Sequence, residues 1–74
     1  MTPEHLAAEA ERLLRDPVLL RAVASMRAEA LEDLARCDPT AQHKVISGQA
    51  KVWLCDEFMD SLRRHIEALS ENER

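Results

Sequence analysis

From Val45 to Leu69 the small or apolar residues Val45, Gly48, Val52, Cys55, Met59, Leu62, Ile66 and Leu69 recur in alternating steps of three and four. That spacing keeps one line of side chains on the same side of a helix, as a seam packed against another helix requires. Upstream, Leu19, Val23, Met26, Ala30 and Leu34 make a second stripe, widened by Leu20 and Leu31. A thinner stripe of Leu6, Ala10 and Leu13, with Leu14 beside it, precedes both. The pattern predicts an all-α chain of three helices.

Three dipeptides mark where the helices start: Thr2-Pro3, Asp16-Pro17 and Asp38-Pro39. In each, a side-chain oxygen able to accept a helix-start N–H precedes a proline whose fixed φ and missing N–H suit the first helical position. The expected helices run over about 3–15, 17–36 and 39–70, with a frayed tail over 70–74, in a single domain spanning 1–74. Asp16-Pro17 interrupts helical geometry without adding linker length. The first two segments are therefore either one kinked rod or a sharp corner. Lengths favour the rod: at 1.5 Å per residue the legs Pro3–Arg36 and Pro39–Ser70 measure roughly 51 and 48 Å. Joined by a tight turn at Cys37-Asp38, they form a long antiparallel hairpin.

Folding the chain back at residue 38 sets Arg21 by Asp56 and Glu57, Arg15 by Asp60, Glu11 by Arg63 and Arg64, and Glu32 by Lys44. Such exposed pairs are worth about 0–1 kcal/mol each and select a register more than they stabilise it. The same overlay puts Gly48 by Ala28 and Ala30. Gly48 is then either a point of close helix approach or a weak point in its helix. Arg27 falls inside the apolar stripe of the second helix, where its stem packs and its head reaches water or an acid.

Trp53 stands off the seam, with Ile46, Ala50 and Leu54 making a second apolar strip on the outer side of the last helix. One partner helix cannot cover both lines. Either the first helix folds over the strip, or the strip is an interface anchored by Trp53. Two hairpins laid together would close it as a four-helix bundle, so a C2 dimer is the default oligomer and a larger protein the other expected partner.

Composition narrows the function classes. One Gly, three Pro, one Phe and no Tyr leave little strand or turn material. Fourteen acidic against ten basic residues, a net charge of −4, do not suit a protein that binds by neutralising phosphates. Two cysteines, no signal-like apolar run and no membrane-length apolar span point to a cytoplasmic protein with reduced thiols. Cys37 and Cys55 lie roughly 27 Å apart along the expected hairpin, too far for a disulfide. His5, His43 and His65 are scattered, without the i, i+4 spacing that brings two ligands to one metal. There is no glycine-rich phosphate loop or nucleophile elbow, so no cofactor, metal or enzyme activity is expected. Arg12, Arg15, Arg63 and Arg64 gather at one end, where salt bridges to Glu9, Glu11 and Glu67 are the simplest arrangement.

The stretches Leu14-Arg15-Asp16-Pro17-Val18-Leu19, Met26-Arg27-Ala28-Glu29-Ala30-Leu31, Gln49-Ala50-Lys51-Val52, Asp56-Glu57-Phe58 and Leu62-Arg63-Arg64 resemble a group of small helical proteins. These are encoded among the particle-assembly genes of tailed bacteriophages and prophages. The resemblance runs from about Leu6 to Leu69 and implies a setting, the bacterial host cytoplasm or the virion, with no role for any single residue. Trp53 and the two cysteines are not features of that group. The expected function is non-enzymatic: a minor structural or assembly component of a phage particle, acting by helix packing against itself or a larger protein. The alternative is a small acidic inhibitor that occupies the basic groove of a host defence or transcription enzyme.

Overall fold

The computed structural model describes residues 1–72, with side-chain surroundings for residues 1–70. Among them are three helices and no strand: α1, Pro3–Leu14; α2, Pro17–Arg36; and α3, Gln42–Asn72. The first two start as their sequences dictate. Thr2 Oγ1 accepts from the His5 amide at 3.1 Å ahead of Pro3. Asp16 Oδ1 accepts from the amides of Val18 at 2.9 Å and Leu19 at 3.2 Å ahead of Pro17. Between them α1 closes in one tightened turn, the amides of Arg15 and Asp16 donating to the carbonyls of Arg12 and Leu13.

Asp38-Pro39 behaves differently. Asp38 Oδ1 accepts from both the amide and the hydroxyl of Thr40, at 2.9 and 2.8 Å, and the Ala41 amide donates to the Asp38 carbonyl. The dipeptide builds a turn instead of a helix start, because a threonine two residues on offers two donors to one carboxylate oxygen. α3 accordingly begins at Gln42 rather than at Pro39, and the connection is residues 37–41 rather than a tight Cys37-Asp38 turn. α3 also continues past Ser70 to Asn72, where fraying was expected; the remainder of that tail, 73–74, lies outside the described residues.

The longer connection shifts the register. Arg27 Nε meets Asp56 Oδ1 at 2.8 Å, and Gly48 lies against the Leu34 side chain. The pairing expected from a fold at residue 38 is replaced throughout: Asp56 takes Arg27 instead of Arg21, Asp60 takes Arg63 at 2.9 Å, Arg64 takes Glu57, and Glu32 takes Arg36 at 3.0 Å. Gly48 faces Leu34 instead of Ala28 and Ala30.

α3 packs on both α1 and α2, which scarcely touch each other. The first leg is therefore the kinked rod, and the hairpin extends 50 × 23 × 18 Å. Its interior is thin. Among the described residues Ala7, Ala10, Ala30 and Cys55 are the buried hydrophobic ones, and no large side chain is fully enclosed. The radius of gyration, 16.0 Å, exceeds the roughly 11 Å of a compact chain of this length.

Candidate functional site

Every seam position of α3 faces the interior: Gly48 and Cys55 are buried, and Val45, Val52, Met59, Leu62, Ile66 and Leu69 are half-buried. Gly48 allows the closest approach. A Cβ there would lie 2.6 Å from Leu34 Cδ2 and 2.7 Å from its Cγ, so the leucine occupies the space a side chain would need.

The outer strip is open. Ile46 is 64% exposed, Trp53 60% and Leu54 57%, and Ala50 is exposed beside them. Because α1 continues the rod, it does not fold over this side; the corner geometry that would have buried Trp53 is not the one adopted. Ile46, Ala50 and Trp53 lie one helical turn apart on the side of α3 away from the seam. Leu54 follows Ala50 by four residues and turns the apolar surface toward α2.

There it joins a groove of about 560 Å³ between α2 and α3. Leu19, Ala22, Val23, Met26 and Ala30 line one wall, and Leu54, Cys55 and Phe58 the other. Met26 is 61% exposed and Phe58 44%, so two large side chains stand at its mouth. The charged lining groups are Glu29 and Asp33 on α2 and Lys51 on α3, all exposed. Helical periodicity alone puts Met26 on the covered stripe of α2 and leaves Phe58 out of the strip on α3. The signal for Phe58 was present: Ala50, Leu54 and Phe58 are spaced i, i+4, i+8. Met26 lay beyond such reading, because only the true register shows which edge of the α2 stripe α3 leaves uncovered.

The polar chemistry around this surface is that of solvated ion pairs. Arg27 binds both oxygens of Asp56, at 2.8 and 3.4 Å. The hydrogen bond first, and the carboxylate charge second, raise the arginine above its ordinary value. Of the arginines expected at the far end, Arg12 is held by Glu9 at 3.0 Å as anticipated, whereas Arg63 and Arg64 take Asp60 and Glu57 instead of Glu11 or Glu67. A second, smaller groove near the connection, about 480 Å³, has Arg36, His43, Lys44 and Lys51 beside Asp33, giving it mixed charge. Both cysteines are free thiols, Cys55 in the floor of the apolar groove and Cys37 half-buried with its thiol donating to the Leu34 carbonyl. Among the described residues no His, Cys, Asp or Glu cluster is arranged to hold a metal, and no helix is long and apolar enough to cross a membrane.

Comparison of the chain with protein-family models, with curated proteins and with solved structures finds no match.

Proposed function

We propose that this chain is a non-enzymatic interaction protein that works through the apolar surface of α3, as a minor structural or assembly component of a tailed phage or prophage particle. The observation that carries the reading is the exposed apolar surface from Ile46 and Trp53 through Leu54 to Phe58 and Met26, on a hairpin with no fully enclosed large side chain among the described residues. Apolar surface of this extent on a small chain is a contact surface, and Trp is a frequent anchor of such contacts. The charged groups of the groove are exposed to water rather than converging on an enclosed reaction site, which favours packing over catalysis. The phage setting rests on the resemblance of the helical stretches described above.

The test is capture from a lysate of phage-producing bacteria by the immobilised chain, at low and high salt, beside Trp53→Glu. Capture of particle proteins that persists in salt and disappears with Trp53→Glu supports the reading. Capture that fades as salt screens charge indicates the acidic-inhibitor alternative. No Trp53-dependent capture overturns the reading.

A further inference from the structure

We propose that the groove between α2 and α3 is closed by a second copy of this chain, related by a two-fold axis running along the hairpin, while the Trp53 side remains open. The inference rests on the reading of the α3 surface as a contact surface and divides that surface between two uses.

Area is the first argument. A compact monomer of 8.4 kDa exposes about 4,600 Å². This chain exposes 5804 Å². The surplus of about 1,200 Å² belongs to the whole elongated hairpin and leaves room for the roughly 800 Å² that each partner buries in an ordinary stable interface.

Symmetry and charge decide the arrangement. A two-fold axis parallel to the helices leaves every residue at its own height and exchanges left for right. Each α3 residue therefore meets the partner's copy of the α2 residue beside it in its own chain. The Arg27–Asp56 and Leu34–Gly48 pairs set those heights. Phe58 then falls between the heights of the partner's Ala22 and Met26, and Leu54 between those of Met26 and Ala30, so the large side chains of the two copies alternate along the groove. Lys51 faces the partner's Glu29 and Asp33. Among the described residues no ion pair joins Lys51 to Glu29 or Asp33 within the chain, leaving these charges available across the interface. With the axis instead across the hairpin, α3 lies on α3 and Lys51 loses the partner's Glu29 and Asp33. Trp53 lies about 100° around the helix from Leu54, away from the groove, so it stays outside the paired faces. The dimer displays two such strips.

Sedimentation equilibrium of the full chain reads this directly. The expected mass is 16.8 kDa, twice the 8.4 kDa chain. Leu54→Asp is expected to shift it toward the single chain while helix content by circular dichroism is kept. Lys51→Glu, at an exposed position, is expected to weaken association about tenfold at low salt, as like charges are brought together. Adding Glu29→Lys and Asp33→Lys to Lys51→Glu is expected to restore it. Trp53→Glu is expected to leave the mass at the dimer value even though it abolishes particle-protein capture. A single-chain mass up to about millimolar concentration overturns the proposal, as does a dimer indifferent to both Leu54→Asp and Lys51→Glu. A monomer that still captures through Trp53 removes the dimer alone; a dimer without such capture removes the assembly reading alone.

Discussion

Gly48 is the only glycine in the chain, and it stands where Leu34 needs room. Alanine is the better helix former by about 1 kcal/mol, so an isolated helix would gain from Gly48→Ala. Here the added methyl meets Leu34 below 3 Å, and overpacking of this kind costs about 1–3 kcal/mol. The expected net result is a loss of about 1 kcal/mol by thermal melting, with much smaller coupling damage when Leu34→Ala is also present. Asp38 offers a second test. Its carboxyl is held below the ordinary value of 3.8 by the Thr40 amide first and the Thr40 hydroxyl second. A folded-state value lower than the unfolded one adds stability above the ordinary value and loses it as pH falls through the lowered one. The Thr40 amide should therefore report release of its hydrogen bond only in acid below 3.8, with no change near neutrality. In Asp38→Asn, followed by NMR, that acid step should be missing.

At the scale of elements, Asp16 and Asp38 show why one dipeptide predicts two structures. Asp16 caps α2 through the Val18 and Leu19 amides, whereas Asp38 turns onto Thr40. Asp16→Ala should cost about 1 kcal/mol of unfolding free energy, the usual worth of such a cap. The helical character and the seam from Val45 to Leu69 were legible because periodicity is local, whereas proline placement left α1 as a rod or a corner and only the matched lengths of the two legs favoured the rod. The start of α3 was not, since Asp-Pro followed by Thr satisfies the rules for a cap and for a turn equally. The register depended on that start, and with it the salt-bridge partners and the exposure of Met26. Ile46, Ala50, Trp53 and Leu54 were legible as an outer strip from helical angles alone, whereas the groove they adjoin required knowing how α2 lies. Arg27 reached an acid as its stem suggested, and Arg27→Ala is expected to weaken the hairpin slightly, the loss shrinking as salt is added.

For the whole molecule, a thin interior and a wide apolar exterior tie the proposed dimer to stability. Because the second copy binds only the folded hairpin, the proposed dimer melts at a temperature that rises with concentration. The same dilution series that dissociates the groove contact should therefore lower the midpoint followed by circular dichroism, while a self-sufficient monomer would melt at one temperature throughout. Trp53, 60% exposed, should be quenched by small solutes in the free protein and become shielded only when a larger protein covers its strip.

One connection, residues 37–41, joins the two legs, so the beginning of α1 and the end of α3 lie together at the opposite extremity of a 50 Å body. An axis along that body keeps both bends at one pole and both pairs of helix ends at the other. The proposed dimer is thus polar, like a peg with a head and a point. A label or tether attached before Pro3 leaves the bends unobstructed, and one inserted at Pro39 marks the other pole.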